Sequence, residues 1–184
     1  MSKQCLNLGC GTDIRPGWVN LDVAALPGVD VVHDLKVLPL PFEDGQFDHV
    51  ACLDVLEHLD YPPVLKEIHR ILKPGGTVRI DVPHFTSSNV YVDPTHRGIG
   101  FSVKTFRFFA KGTGEHDRRG GYYFDFQFQE ISETSLVFSK GLPYAWNWLI
   151  DPLVNFSYKV QCYYEATAFS RLFPAENLRV VLVK

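Results

Sequence analysis

Apolar positions in residues 5–82 fall into short runs separated by turn residues, with one longer periodic segment. Short apolar runs bounded by turn residues are typical of buried strands. They predict five strands, namely Cys5–Leu8, Val19–Val23, Asp30–His33, Phe47–Leu53 and Thr77–Val82. Tyr61–Leu72 instead repeats its apolar residues at helical spacing and stops at Pro74-Gly75-Gly76, which predicts a helix. Strands interleaved with helices and turns indicate an α/β fold with a parallel sheet.

The second half of the chain has a different pattern. Residues 83–121 are rich in Gly, Ser, Thr and His, and so long a loop region inside a compact domain is more often functional than idle. Tyr122–Ile131 alternates apolar and polar residues, and this period of two predicts a strand with one wet face. Residues 141–164 are rich in aromatic side chains, and Asn177–Val183 predicts a last strand. No linker interrupts the pattern, so we expect a single domain over residues 1–184.

Composition narrows the class of protein. The net charge is −3 over 184 residues, which gives no strong nucleic-acid signal and favours a small-molecule or glycan acceptor or a protein partner. The four cysteines form no CxxC pair, so a reducing, cytoplasmic location is expected. The first residues run directly into a strand, which argues against a signal peptide. No apolar run reaches the ~20 residues of a membrane-spanning helix, so we expect no membrane span.

The chemistry is concentrated where the first predicted strand ends. Leu6-Asn7-Leu8 leads into Gly9-Cys10-Gly11, and Asp22 ends the next strand. Glycines at a strand end let a ligand approach the backbone closely, and ligands of open α/β sheets bind at that edge. An acidic side chain on the neighbouring strand can accept two hydrogen bonds from a ribose diol. A glycine pair alone is a weak signal, because NAD and S-adenosylmethionine sites share it.

The residues after the glycine pair distinguish the two cofactors. A dinucleotide motif needs a third glycine and a helix whose N-terminus holds the pyrophosphate, but the third position here is Ile14. Residues 9–18 are too few for a full crossover helix. S-adenosylmethionine carries no phosphate and does not need that helix.

Six short motifs follow one another along residues 5–82. They are Leu6–Gly11, Asp22, His33-Asp34-Leu35, Leu38–Phe42 with Gly45–Asp48, Asp54–Leu59 and Ile71–Gly76. In order and spacing they resemble the signatures of class I S-adenosylmethionine-dependent methyltransferases, and more narrowly the methyltransferase type 11 group. The resemblance implies a Rossmann-like, doubly wound, mostly parallel sheet with an antiparallel final strand, in three α/β/α layers. It further implies a cofactor-binding half at 1–82 and an acceptor-binding half at 83–184. Asp93–His96 and Leu172–Ala175 are more weakly similar to compact bacterial relatives.

The resemblance also assigns roles by position. Gly9, Cys10 and Gly11 would line the methionine and ribose part of the cofactor, Asp22 would hold the ribose hydroxyls, and Asp34 would meet the adenine amine with Leu35 beside the ring. Asp54 would lie between cofactor and acceptor. Asn7 stands where the family commonly has an acidic residue, which weakens any charged contact to the cofactor. The structural alternatives are a tight turn for the glycines and solvated strand ends for Asp22 and Asp34.

Candidate acceptor-side residues lie just after the fifth predicted strand. His84, Asp93 and His96 occupy that position, and His96 is the first candidate for a general base because histidine titrates near neutral pH. A loop histidine that only hydrogen-bonds locally is an equally good interpretation. Asp93 with His96 could suggest a metal site, but no third ligand at a convincing spacing supports it, so no metal is predicted. The aromatic segment 141–164 could form a lid or part of the core.

Other residues and other functions remain open at this level. Glu57 and His58 are interpreted as residues that orient the following helix, and Glu67, His69 and Arg70 as its solvated face. The leading hypothesis is an S-adenosylmethionine-dependent methyltransferase. The alternatives are a non-catalytic module that binds S-adenosylmethionine or S-adenosylhomocysteine, or a nucleotide-sugar or nicotinamide enzyme on a similar sheet.

Overall fold

A seven-stranded sheet runs through the computed structural model, which describes residues 3–184. The strands are β1 Cys5–Leu8, β2 Val19–Asp22, β3 Val31–Val32, β4 Phe47–Leu53, β5 Leu72–Pro83, β6 Glu130–Val137 and β7 Asn177–Val183. They lie in the order β3-β2-β1-β4-β5-β7-β6. Neighbours from β3 to β5 are parallel, whereas β7 is antiparallel to β5 and to β6. The Rossmann-like, mostly parallel fold with an antiparallel final strand is therefore confirmed.

Helices and short helical turns surround this sheet. The helices are α1 Tyr61–Ile71, α2 Asn89–Val92, α3 Gly121–Tyr123, α4 Asn147–Val154, α5 Tyr158–Ala166 and α6 Phe169–Leu172. Single turns occur at Leu56–His58, Thr105–Phe109, His116–Gly120 and Leu142–Tyr144. The predicted helix at 61–72 is confirmed to within one residue. It buries Val64, Leu65, Ile68 and Ile71, the residues whose spacing predicted it.

The core continues from α1 into the second half of the chain. Phe101, Phe106 and Phe109 are all buried, and the Tyr61 ring of α1 lies 5.4 Å from Phe101 and 6.1 Å from Phe109. The loop-rich region after β5 thereby packs on the helix that precedes β5. Fully burying an aliphatic or aromatic side chain contributes about 1.5–3 kcal/mol, so this cluster anchors the loops that follow β5.

The connections at the β3 side of the sheet contain only turns. Residues 9–18 join β1 to β2 and residues 23–30 join β2 to β3, and both segments lie wholly within the described part of the chain. The structure thus confirms that residues 9–18 are too few for a crossover helix. Without helices in these connections, the carboxyl ends of β1 and β2 stay open to a ligand.

The strand predicted at 122–131 is wrong. Residues 121–123 form α3, and the strand starts only at Glu130, where the chain reaches β7. The preceding Gln129 N–H donates to the Val183 carbonyl at 2.8 Å. The alternation still predicted burial, since Phe124, Phe126 and Phe128 are at least half-buried whereas Asp125, Gln127 and Gln129 are exposed. The phenylalanines alternate because they pack on α1 and on Phe109, without a partner strand to complete a ladder.

The solvated-face interpretation of α1 is wrong for Glu67 and Arg70. The Glu67 carboxylate accepts a hydrogen bond from the Leu40 N–H at 2.9 Å. The Arg70 guanidinium donates to Glu67, to Asp44 and to the Phe42 carbonyl. Their side chains are only 13% and 25% exposed. Together they hold the 40–44 loop against α1.

Two amide side chains of the aromatic segment cover the outer edge of β6. The Leu136 N–H donates to Asn155 Oδ1 at 2.8 Å, and Asn155 Nδ2 donates to the Leu136 carbonyl at 2.8 Å. Gln161 Nε2 donates to the Thr134 carbonyl at 2.9 Å. Unpaired edge strands invite pairing with other chains. Asn155, directly after α4, and Gln161 of α5 satisfy an edge that would otherwise be open. Within residues 3–184, no helix combines the length and apolar character needed to cross a membrane.

Candidate functional site

The strand order reverses between β1 and β4, and two cavities open at the carboxyl ends of these strands. Ligands of open α/β sheets bind at such a reversal. The first cavity has a volume of about 320 Å³ and lies over β1, β2 and β4. It is lined by Gly9, Asp22, Val23, Asp34, Leu35, Lys36, Asp54, Val55, His58 and Leu59.

Gly9 lets the backbone at the end of β1 approach the Val55 side chain closely, and the shape of the first cavity depends on this approach. Its φ angle is +67°, in the left-handed region that favours glycine. A Cβ atom added at Gly9 would lie 2.5 Å from Val55 Cγ2, far inside van der Waals contact. Gly11 shares the left-handed backbone with a φ of +49°, but no atom of the described residues lies within 4 Å of a Cβ built there.

Asp22 is held in place by the loop that it faces. Its Oδ2 accepts the Gly11 N–H at 2.8 Å, and its Oδ1 accepts the Ala24 N–H at 2.9 Å. Each carboxylate oxygen can accept more than one hydrogen bond, so both oxygens keep capacity for a ligand that donates. Asp22 therefore stabilises the glycine loop, in addition to the ligand-binding role expected of it.

Three of the sequence-predicted cofactor residues do not line the first cavity. Asn7 is buried, and its Nδ2 donates to the Asp13 carbonyl at 2.6 Å and to Asn20 Oδ1 at 3.3 Å. Cys10 is buried, and its N–H donates to the Leu21 carbonyl at 2.9 Å. Gly11 binds Asp22, as described above. These three residues shape the glycine loop, whereas Gly9, Asp22, Asp34, Leu35 and Asp54 reach the cavity itself.

The first cavity combines carboxylates with apolar side chains from two segments, the loop after β3 and the segment after β4. Asp34 follows β3, where its Oδ1 accepts the Lys36 N–H at 2.9 Å, and the next residue, Leu35, is buried. Val55 and Leu59, from the segment after β4, add an apolar wall. The sequence analysis did not predict these two residues as part of the cofactor site. Their signal was available, because they belong to the Asp54–Leu59 motif.

The residues present fit a nucleoside better than a pyrophosphate. Two carboxylates can accept hydrogen bonds from ribose hydroxyls and a base amine, and the apolar wall suits a flat ring. A pyrophosphate would need a helix N-terminus after β1, and residues 9–18 form turns. The volume is at the lower end of the range for small-molecule pockets.

A second cavity of about 330 Å³ adjoins the first, and Asp54 lines both. Its other lining residues are Glu57, Pro83, Asn89, Val92, Asp93, His96, Glu176 and Asn177. Asp54 has a φ of +53°, an uncommon value for a residue with a side chain. Its Oδ1 accepts a hydrogen bond from Asn177 Nδ2 at 2.9 Å. Burial raises the pKa of Asp54 above its ordinary value.

Glu57 and His96 meet in the wall of the second cavity. Glu57 is 1% exposed, and neither of its carboxylate oxygens has a hydrogen-bond partner among residues 3–184. Burial raises the pKa of Glu57 to about 7. His96 Nε2 lies 4.0 Å from Glu57 Oε1 and 3.9 Å from Asp93 Oδ2. The interpretation of Glu57 as a helix-orienting residue has no hydrogen bond to support it.

Asp93 and Thr95 order the loop that carries His96. Asp93 Oδ1 accepts hydrogen bonds from the Thr95 N–H at 2.8 Å and the Thr95 hydroxyl at 2.6 Å. These hydrogen bonds hold the pKa of Asp93 below its ordinary value. Two of the three predicted acceptor-side residues, Asp93 and His96, are thus brought together with Asp54 and Glu57.

The structure does not bring His84 to either cavity. His84 is completely buried, where its ring nitrogens contact Glu165 Oε1 at 3.0 Å and Thr86 Oγ1 at 2.6 Å. Glu165 also accepts the Ser102 hydroxyl and the Val103 N–H. Although burial favours its neutral form, the hydrogen bonds from His84 and Ser102 hold the pKa of Glu165 below its ordinary value. The arrangement ties α5 to the end of β5.

The start of the aromatic segment reaches the same side of the sheet as His96. A groove of about 360 Å³ is lined in part by Tyr144, Trp146 and Asn147. It shares Asn89 and Glu176 with the second cavity. Only the amino-terminal end of the segment therefore extends the second cavity, while Asn155 and Gln161 cover the edge of β6.

Comparisons with known proteins agree with the fold. The family model described as a methyltransferase domain, of the type 11 group, matches residues 2–80. A demethylmenaquinone methyltransferase of Staphylococcus epidermidis is 45% identical over 56 residues, which cover 30% of this chain and 23% of that protein. The chain thus spans less than a quarter of the curated relatives it matches first.

Solved structures resemble the chain over almost all of its length. An S-adenosylmethionine-dependent methyltransferase from Archaeoglobus fulgidus is 16% identical with a TM-score of 0.54, covering 99% of this chain and 86% of that one. The [4+2]-cyclase SpnF is 19% identical with a TM-score of 0.58, covering 100% of this chain and 74% of that one. At these identities the likeness concerns the fold, and a methyltransferase and a cyclase show that this fold hosts more than one reaction.

Proposed function

Because residues 2–80 belong to the type 11 family of S-adenosylmethionine-dependent methyltransferase domains, we propose that this chain transfers a methyl group to an acceptor in the second cavity. The observation that carries the proposal is the meeting of two cavities of similar size at Asp54. One cavity suits the cofactor and the other a second molecule. A methyl group passing between them needs such a contact, since the transfer is an in-line displacement that depends on positioning.

The first cavity binds and orients the cofactor in this proposal. Asp22 accepts hydrogen bonds from the ribose hydroxyls, and Asp34 accepts one from the adenine amine. Leu35, Val55 and Leu59 contact the apolar faces of the ligand and exclude water. When bound, S-adenosylmethionine supplies a methyl carbon made electrophilic by its positive sulfur. The chain then needs only to hold the acceptor atom in line with that carbon.

The second cavity holds the acceptor, which we propose to be a small molecule or a glycan. Asp54, Asp93 and His96 present oxygen and nitrogen atoms that can orient a hydroxyl or amine group. The adjoining groove adds Trp146 and Tyr144, which suit the apolar face of a ring or sugar. General-base action by His96 stays a prediction. His84 has no part in it, because its ring is buried beside Glu165.

Ligand binding tests the cofactor half of the proposal. Isothermal titration with S-adenosylhomocysteine, NAD and a nucleotide sugar in parallel should show binding of the first alone. Asp125→Asn is a suitable control, because Asp125 is exposed, pairs with Lys66 and lines neither cavity. If NAD binds and S-adenosylhomocysteine does not, the proposal is wrong.

Methyl transfer tests the acceptor half. Labelled S-adenosylmethionine would be incubated with small-molecule and glycan pools, and label in the products would be measured. His96→Ala should lower turnover by roughly 10²–10⁴-fold if proton transfer contributes, with unchanged affinity for S-adenosylhomocysteine. Binding of S-adenosylhomocysteine without transfer to any pool would favour the non-catalytic alternative.

A further inference from the structure

We propose that Glu57, His58 and His96 form a binding site for a divalent ion of the zinc class where the two cavities adjoin, with His58 lining the first cavity and Glu57 and His96 lining the second. The three side chains come from two separate segments, the turn at Leu56–His58 and the loop after α2. The Arg97 N–H donates to the Glu57 carbonyl at 3.0 Å, which fixes the loop against the turn. Glu57 and His58 are adjacent in the sequence, but His96 lies on the loop after α2, so no local spacing motif joins the three.

The donor atoms are already near the geometry that an ion requires. One donor atom from each residue lies within 4.8 Å of the other two. His96 Nε2 and Glu57 Oε1 are 4.0 Å apart, and the two imidazole rings have centroids 4.6 Å apart. Ligand atoms bind zinc at about 2.0–2.2 Å, so two of them on one ion are separated by roughly 3–4 Å. Small side-chain rotations would therefore complete the site.

The buried Glu57 carboxylate gives independent support. Buried charges in proteins are paired or coordinate metals, yet neither oxygen of Glu57 has a hydrogen-bond partner within residues 3–184. His96 Nδ1 is also buried and unpartnered in the part of the chain that the structure describes. A cation beside Glu57 would supply the missing partner, whereas a purely structural glutamate would be expected to accept hydrogen bonds.

The hydrogen bonds of His58 leave it ready to bind an ion. The Thr95 hydroxyl donates its proton to Asp93 Oδ1 at 2.6 Å. The hydroxyl oxygen of Thr95 lies 2.9 Å from His58 Nδ1. Because its own proton is donated to Asp93, this oxygen accepts a hydrogen bond from the Nδ1–H of His58. This leaves a lone pair on His58 Nε2. Metal-binding histidines characteristically donate their other N–H to such a partner.

The donor set selects the kind of ion. Two imidazoles and one carboxylate suit zinc and related transition metals, whereas magnesium prefers oxygen ligands. Asp93 Oδ2, 3.9 Å from His96 Nε2, is a candidate fourth donor. Without it, three protein ligands leave a coordination position open, as in catalytic zinc sites. That the open position receives an acceptor oxygen rests on the proposed function, but binding of the ion does not. With the ion bound, His96 would orient the acceptor through the ion, and general-base action by His96 would apply to the ion-free chain.

Zinc titration tests the site directly. Full-length protein, first treated with EDTA and dialysed, would be titrated calorimetrically with zinc chloride and with magnesium chloride. We expect one zinc per chain with a dissociation constant of about 1 μM or tighter and no binding of magnesium. Glu57→Gln and His96→Asn should each weaken zinc binding at least about tenfold. Asp60→Asn and His33→Asn remove a carboxylate and an imidazole that do not belong to the three-residue cluster, and both variants should bind zinc like the unaltered chain.

The outcomes separate this proposal from the methyltransferase proposal. Cobalt(II) absorption in the visible range, lost in His96→Asn, would support the site even if Glu57→Gln failed to fold, as checked by its thermal unfolding transition. Zinc binding that is absent, or that survives both substitutions in folded protein, would overturn the metal site. Titration with S-adenosylhomocysteine in EDTA would still report on the cofactor cavity in either case.

Discussion

Replacing Gly9 with alanine tests whether the first cavity depends on a glycine at the end of β1. The new Cβ would experience two separate penalties. The backbone φ of +67° is left-handed, which costs a residue with a side chain about 1–2 kcal/mol. The same Cβ would lie 2.5 Å from Val55 Cγ2, and overpacking of this kind costs about 1–3 kcal/mol. The free energy of unfolding should fall by about 2–5 kcal/mol in total.

Gly11→Ala is the matched control because it separates the two penalties. Its φ is +49°, but no described atom lies within 4 Å of the added Cβ. We therefore expect it to lose only the backbone part, about 1–2 kcal/mol. Affinity for S-adenosylhomocysteine should fall more in Gly9→Ala, because Gly9 lines the first cavity and Gly11 does not.

Urea unfolding and a double-mutant cycle with Val55→Ala measure the clash. Removing the two methyl groups of Val55 eliminates the 2.5 Å contact, so Gly9→Ala in that background should be no more harmful than Gly11→Ala. The coupling free energy should equal the overpacking part, about 1–3 kcal/mol. Equal losses in Gly9→Ala and Gly11→Ala, with no coupling to Val55, would refute the reasoning.

Three further substitutions test other parts of the structure. Asp22→Asn should weaken S-adenosylhomocysteine binding about tenfold or more. It should also lower the free energy of unfolding by about 1–2 kcal/mol, because an amide cannot accept hydrogen bonds from both loop N–H groups. An unchanged affinity in calorimetry would show that Asp22 is a purely structural residue. Burial alone would raise the pKa of Asp81, but hydrogen bonds from two arginines hold it below its ordinary value. Asp81→Asn should therefore lower the free energy of unfolding by about 2 kcal/mol above pH ~4. This difference between the two proteins should disappear as the pH falls through the lowered pKa of Asp81 in the folded state. A difference that does not change with pH in urea titrations would contradict this. Asn155→Ala should lower the free energy of unfolding by about 1–3 kcal/mol and promote self-association through the uncovered edge of β6. Light scattering equal to that of the unaltered chain would argue against the proposed role of Asn155 in covering this edge.

The first half of the fold was predictable because its signals are local. β1 and β4 have the predicted bounds, and α1 ends one residue early. Each of these elements carries its own hydrophobic period and its own stop signal within a few residues. The glycine loop was predictable for the same reason, since backbone freedom at Gly9 and a carboxylate at Asp22 are properties of single positions.

The second half was less predictable because its structure depends on partners elsewhere. Residues 124–128 alternate like a strand, yet they pack on α1, and their backbone pairing is an isolated bridge between Phe128 and Ala110. The period of two therefore predicted which side chains are buried, but it wrongly predicted a continuous strand. His84 stands directly after β5, where acceptor-side residues are expected. Glu165, on a helix near the other end of the chain, determines that His84 is buried instead.

Glu57 shows most clearly why sequence spacing could not reveal the second cavity. In the sequence it precedes α1 and resembles a residue that orients a helix. In the structure the turn at Leu56–His58 buries it, and the loop carrying Asp93 and His96 folds over it through the Arg97 N–H. A carboxylate without partners at that depth is unfavourable for stability, and such groups are concentrated where a site needs them. The position of Glu57 is therefore better explained by what the second cavity binds than by the folding of α1.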